Sequence, residues 1–491
     1  MSFPLRERLY PMPKPLARCL AFGAGLLVTT MTAHADPRET PPVVQMSLPA
    51  ISQEDSTKVQ SRSRRSNNWN TYEATTYDQA LAALGVASMS PPELSKYGGR
   101  LDIQHRATGF FRVEKIDGRW WMIDPLGHPL IRKGITSAYR DGFGALPPER
   151  QAELGYQNPA RWAVDATETA RDLGFNAWGR WSNTGPLRNA PEPLPYVTSL
   201  KVMVSFGGEL RLTTRNYGNM GFEHSLIPSF HPDFPAFARK YVREELAKTK
   251  DDPWLVGHYL DNELPTTRTA LERALKLDPR HPVHKYTRQA AWQFLREKYG
   301  RNAKPGMVTH EDNKNFLGVI FERYYRIASE AVREVDPNHM ILGSRLHGSG
   351  HKWGALVAAC GKHCDVVSIN LYGYWEPSDE QMERWERFAQ SPFIISEFYV
   401  RGVDSGLADD KGAGWVVKTQ RDRALWYQNF TLQLLRSRGS VGWDYFKFRD
   451  DIDQNKGLLR HDWRPYPAFT DPIRDAHAKV YPLIDAMDKK R

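Results

Sequence analysis

From residue 129 to the C-terminus, short apolar runs that end in polar residues alternate with longer segments whose apolar positions return every three or four residues. The runs occupy 129–138, 176–181, 196–204, 255–260, 340–346, 365–371, 392–398 and 441–446, and they read as strands buried on both faces. Segments of helical period lie at 159–173, 234–248, 284–299, 316–335, 381–388, 421–438 and 472–486. Ahead of them, "GFFRVEKIDGRWWMI" sets Asp117-Gly118 between two alternating runs, the pattern of a tight hairpin. Eight strands interleaved with helices predict an α/β protein, a (β/α)8 TIM barrel with an N-terminal β-hairpin. Connections 205–233 and 264–339 are long, which places insertions after strands three and four, on the face where barrel enzymes build their sites. A doubly wound open sheet is the alternative, but "GITSAYRDGFG" lacks the glycine spacing of its phosphate turn.

The first 35 residues carry Arg6, Arg8, Lys14 and Arg18, then an uncharged run over 20–32 and Ala33-His34-Ala35, the order of a secretory signal cleaved after Ala35. A retained anchor is the other reading, although the run is short against the about 20 residues a spanning helix needs. Residues 36–100, rich in Ser, Pro, Thr and charge, read as a poorly ordered leader or an arm wrapping the main domain, and 101–491 as the barrel itself. A secreted or periplasmic protein is expected, with no membrane contact once the signal is removed.

At 491 residues and 41% hydrophobic composition the chain can bury one large core or two moderate ones. Signal removal takes away four basic residues and one acid, Glu7, so the formal charge falls from +10 to +7. The basic excess does not point to nucleic acid, because the one dense block, "SRSRRSNN", has no interleaved aromatics. Cys360 and Cys364 in "ACGKHC" could pair in an oxidising compartment or remain free thiols, and with His363 they match no common zinc spacing.

Chemistry concentrates where strands end. In "VGHYLDNELP" the fourth run closes on Asp261, Asn262 and Glu263, and in "SPFIISEFYV" the seventh closes on Glu397. Strands four and seven lie on opposite sides of an eight-stranded ring, so these acids can face each other across the mouth. Two opposed carboxylates, one protonated and one ionised, are what glycoside hydrolysis requires. Taken singly, each acid could equally be a salt-bridged strand end.

With these residues in view, the chain resembles the (β/α)8 retaining glycoside hydrolases of the clan with Asn-Glu on strand four and Glu on strand seven. More narrowly, it resembles the exo-acting β-agarases related to β-galactosidases. The resemblance rests on "DGRWWMIDPLGHPL", "GHYLDNE", "LGSRLHG", "IISEFY" and "VGWDYFKFRDD". It implies Glu263 as general acid/base and Glu397 as nucleophile, acting through a covalent glycosyl-enzyme without metal or cofactor. Such agarases usually carry a β-sandwich before the barrel, where this chain has only about 70 residues after the signal.

Around the pair, Arg180 and Tyr372 are candidates to keep Glu397 ionised, Asn262 to bond the sugar 2-hydroxyl, and Arg345 and His347 to line the same mouth. Of fifteen tryptophans, Trp178, Trp181, Trp375 and Trp443 fall where a pocket is expected. Sugar rings stack on such faces, and the resemblance also implies an aromatic platform at Trp443. The loop "DSGLADDKGAG" after strand seven reads as a lid. The expected partner is a β-linked galactan or its oligosaccharides. The alternatives are another polysaccharide, such as a β-glucan or a sulfated galactan, or a non-catalytic glycan-binding barrel.

Overall fold

The computed structural model describes residues 57–490 apart from 64–65, 87–89, 142–145, 147, 217–218 and 409–411. The expected signal, its cleavage site and the first part of the leader lie outside the described residues. Eight parallel strands form one sheet: β1 (Arg132–Ile135), β2 (Ala177–Trp178), β3 (Tyr196–Ser199), β4 (Leu255–Tyr259), β5 (Met340–Ile341), β6 (Val367–Asn370), β7 (Phe393–Glu397) and β8 (Ser440–Tyr445). Their order is β5-β4-β3-β2-β1-β8-β7-β6. The two ends of that order meet, because Leu346, just past β5, bridges Ile369 of β6, with Leu346 N–H donating to Ser368 O at 2.8 Å. The sheet curls into a TIM-like barrel.

Helices α1 (Pro159–Asp172), α2 (Phe234–Leu246), α3 (His310–Arg333), α4 (Gly354–His363), α5 (Asp379–Ala389) and α6 (Gln420–Arg436) follow strands in turn. Their starts are set by local chemistry. Asn158 accepts from Ala160 N–H ahead of a proline at the first turn of α1, and Thr309 and Thr419 form capping boxes with Asp312 and Asp422. Thr309 therefore begins α3 at 310, one and a half turns before its apolar period becomes legible. The expected helix at 472–486 is two helices, Pro467–Ala478 and Val480–Lys489, meeting at Lys479. Cys360 and Cys364 are buried free thiols one turn apart at the end of α4.

Side chains divide into two layers, one inside the barrel, including Val197, Val256, Tyr259 and Ile394, and one between strands and helices, including Trp162, Trp178 and Trp443. The barrel interior also holds a buried ion pair, Arg132 Nε to Asp444 Oδ1 at 2.8 Å. Gly134 makes room for it, since a β-carbon there would stand 1.8 Å from Asp444 Oδ1.

Antiparallel strands Arg112–Ile116 and Arg119–Ile123 precede the barrel. Before them, strands Thr57–Arg62 and Asn70–Ala74 pair antiparallel, and the first also pairs with Trp415–Val417, downstream of β7. Ser61 Oγ donates to Val416 O at 3.0 Å, and buried Tyr77 donates to Thr431 of α6 at 2.9 Å. This stretch lies along the outside of the barrel as a ribbon. Among the described residues no helix is long and apolar enough to cross a membrane.

Candidate active site

A cavity of about 870 Å³ opens at the C-terminal ends of the strands, and its lining includes Asn262, Glu263, His347, Tyr372 and Glu397. Parallel strands in a barrel all deliver their last residues to this face, which is why residues distant in sequence meet here. Glu397 closes β7. Its carboxylate pairs with the buried guanidinium of Arg345, accepts the phenol of Tyr372 and accepts Trp181 Nε1–H at 2.9 Å. Three donors on one carboxylate suit a group that works as an anion. Burial, then the charges of Glu397 and Glu263, raise the Tyr372 phenol well above its ordinary value, so it stays a donor.

Glu263 follows β4 in the left-handed region, φ 49°. It accepts Asn370 Nδ2–H at 2.7 Å, and His347 Nδ1 stands 3.8 Å away. Asn262 accepts Arg345 Nε–H at 2.8 Å. The third member of the strand-four triplet turns elsewhere. Asp261 is fully buried and accepts Met203 N–H at 2.8 Å, Val204 N–H at 3.0 Å and Tyr324 Oη–H at 2.7 Å. It caps helix Val202–Glu209, whose own N-cap residue, Lys201, makes no side-chain cap. Burial pushes its carboxyl up to about 6.

Three expected site residues stand elsewhere, and a fourth, Arg180, stands beside the site without a close ion pair to Glu397. Trp443 is fully buried behind the sheet and donates from Nε1 to Tyr427 Oη of α6 at 2.8 Å. The reason is Gly442. Strict alternation would put Trp443 on the inner face with Val441, but the four residues of β8 from Ser440 to Trp443 span only three of β7, Phe393 to Ile395. This bulge sits on a glycine at φ 135°, where a β-carbon would meet Arg132 O at 2.0 Å. Trp178 is likewise buried between strands and helices, edge-on to Phe448. Trp375 lies outside the cavity lining, stacked on Tyr72 of the ribbon at 4.9 Å and donating to Glu73 O at 3.0 Å. Arg180 stands beside the site: the Glu397 charge acts on it without a close ion pair, its guanidinium lies 3.9 Å over the Trp181 ring, and among the described residues its buried Nε and Nη1 have no hydrogen-bond partner. Burial, then the neighbouring Arg345 charge, press its pKa down, yet a guanidinium keeps its proton.

Trp181, 42% exposed, is the expected tryptophan that meets the cavity. It lies past the end of β2, at φ 68°, so strand periodicity does not govern its direction. The cavity also holds Phe446, Lys447 and Asp451, which lie in the "VGWDYFKFRDD" motif without having been singled out, and Tyr139 and Lys456, which had no early signal. Lys447 pairs with Asp451 and donates to Tyr139 Oη at 2.9 Å. Lys456 Nζ stands 3.9 Å from Asp451 over the rings of Tyr399 and Phe446. Burial pulls its ammonium down to about 8. Gly412 and Ala413, from the loop after β7, complete the wall, and Ala413 N–H donates to Tyr399 Oη at 2.8 Å.

No family model matches the chain. It is similar to two curated proteins of Vibrio sp. (strain JT0107). "Beta-agarase B" is 23% identical over 508 residues, 82% of this chain and 52% of that protein. "Beta-agarase A" is 24% identical over 510 residues, 82% and 49% respectively. The chain thus spans about half the length of the curated relatives it matches. Among solved structures, BpGH50 superposes with a TM-score of 0.76 at 29% identity, covering 88% of this chain and 96% of that one. The agarase AgWH50C superposes with a TM-score of 0.64 at 22% identity, covering 83% and 68%, a likeness of fold. The resemblance to β-agarases read from short motifs therefore extends along most of the chain.

Proposed function

We propose that this protein is a retaining glycoside hydrolase that cleaves β-galactosidic linkages in agarose-like galactans or their oligosaccharides, and that it is exported to do so. The observation that carries the reading is that the carboxylates of Glu263, which follows β4, and of Glu397, which ends β7, line one cavity, with Glu397 bonded by Arg345, Tyr372 and Trp181 and Glu263 by Asn370. The similarity to proteins named β-agarases supports the substrate class.

In the first step, Glu397 attacks the anomeric carbon as the bond to the leaving oxygen breaks, and that oxygen takes the Glu263 proton. In the second, Glu263 removes a proton from water, water attacks the same carbon, and the bond to Glu397 breaks, returning both carboxyls to their starting states. Trp181 offers an apolar face to the sugar ring, and Asn262, held by Arg345, is placed to bond a hydroxyl beside the reacting carbon.

Azide separates the two roles. A Glu263→Ala variant given an activated aryl β-galactoside should still form the glycosyl-enzyme, and azide should release it as the β-glycosyl azide. A Glu397→Gly variant should give the α-glycosyl azide. Proton NMR reads the anomers; exchanged anomers reverse the assignment, and the absence of cleavage across a panel of galactans overturns the substrate class.

A further inference from the structure

Two clusters of metal-ligating side chains occur among the described residues, and they differ in whether they have ligand atoms to spare. In the buried group His258, Asp336 and His339, every ring nitrogen already has a partner. His258 meets Thr198 Oγ1 at 2.6 Å and Asp336 at 2.9 Å, and His339 meets Asp336 at 2.7 Å and Asp252 O at 2.9 Å. That group is a closed hydrogen-bond network.

Glu223, His224 and His284 are different. Glu223 and His224 form a short turn in the connection after β3, and His284 opens helix His284–Tyr299 in the connection after β4. One ligand atom from each lies within 4.8 Å of the others. Glu223 Oε2 and His284 Nε2 are 3.4 Å apart yet form no hydrogen bond. Ligands about 2.0–2.2 Å from a tetrahedral zinc ion stand about 3.3–3.6 Å from one another, so this gap has the size that a shared ion would span. His224 lies edge-on to His284 with ring centroids 5.0 Å apart, and among the described residues the ring nitrogens of neither have a hydrogen-bond partner. His281 stacks on the His284 ring at 4.0 Å, and its Nδ1 accepts Val283 N–H at 3.2 Å and His284 N–H at 3.1 Å. It fixes the start of the helix that presents His284.

We propose that Glu223, His224 and His284 bind a first-row divalent cation of the zinc type, clipping the connection after β3 to the connection after β4. Two imidazoles and one carboxylate are a donor set for zinc rather than for calcium or magnesium, which take oxygen ligands. Three protein ligands leave a fourth position for water. Glu223 and His224 are exposed, which gives the ion a path in. The site is separate from the residues assigned to glycoside cleavage, so its test does not depend on that reaction.

The experiment uses untagged full-length protein stripped with a chelator and titrated calorimetrically with zinc chloride. One zinc ion per chain with a Kd of about 1 μM or below is expected, with a rise in Tm as the ion binds. His224→Ala and His284→Ala should each weaken binding by at least about tenfold. Full-strength zinc binding in the double variant, or none in the parent protein, overturns the proposal. As a check that needs no variant, zinc should protect His224 and His284 from diethyl pyrocarbonate, read by peptide mass mapping. Labelling unchanged by zinc overturns it equally.

Discussion

Arg345 Nε donates to Asn262 Oδ1 at 2.8 Å while the same guanidinium pairs with Glu397, so one planar fork joins the ends of β4, the segment after β5 and β7. Lysine has the charge without the fork. Arg345→Lys should lower kcat by about 10²-fold with KM changed by much less, because in the proposed mechanism Glu397 attacks the reacting carbon and Asn262 bonds the hydroxyl beside it. Steady-state kinetics on an aryl β-galactoside checks this; an unchanged kcat would reduce Arg345 to a packing residue.

Tyr372→Phe deletes the phenol that donates to Glu397 and leaves its ring in place. A hydrogen bond to a charged group is worth about 1.5–3 kcal/mol, which corresponds to roughly a 10- to 100-fold loss in kcat. The loss should fall on the glycosylation step, visible as a smaller burst of released aglycone in rapid-mixing experiments.

Asp261 ties stability to pH. Its carboxyl, raised by burial from 3.8 to about 6, holds a proton more tightly in the folded than in the unfolded state. Stability from this group is therefore fully present below about pH 4 and declines as pH rises through 6, by roughly 3 kcal/mol in all. In Asp261→Asn that decline is absent, so the variant should lose more relative to the parent at pH 4 than at pH 7. Urea unfolding of both proteins at the two pH values measures the difference, and a constant offset would contradict it.

Lys456 faces the cavity with its nearest carboxylate 3.9 Å away and its ammonium pulled down to about 8 by burial. If its N–H groups bond the sugar, KM should climb as pH passes 8, where the charge is lost. Lys456→Met should show KM about tenfold higher at pH 7 and no further rise. Parallel profiles for the two proteins would remove Lys456 from substrate binding.

The strand ends were legible because a parallel strand buried on both faces is a continuous apolar run, and the first polar residues after it must reach the mouth or find partners. That logic brought Asn262, Glu263, Tyr372, Arg345, His347 and Glu397 together. It could not say which acid of a triplet would turn away, and Asp261 was taken by a helix start whose own residue, Lys201, cannot cap it. Trp443 was expected in the pocket and stands behind the sheet because its direction depends on one inserted residue, although Gly442 inside an apolar run is the written mark of a bulge. Arg345 rather than Arg180 makes the close ion pair with Glu397, a choice made by distances between loops that no periodicity encodes. Asn370, the donor to Glu263, followed the same strand-end rule in "SINLYG" and was readable from it.

The ribbon that crosses the barrel exterior also sets an order of assembly. Ser61 bonds Val416 across 355 residues of chain. At about 5–20 residues per second, roughly 20–70 s separate the synthesis of the two. During that interval Thr57–Arg62 has its hairpin neighbour on one side and an open edge on the other, the kind of edge that recruits strands from other chains. Lys58 and Arg62 along it are charges of the type that discourage such pairing. The arrival of Trp415–Val417 thus decides when the earliest strand of that sheet becomes safe from self-association.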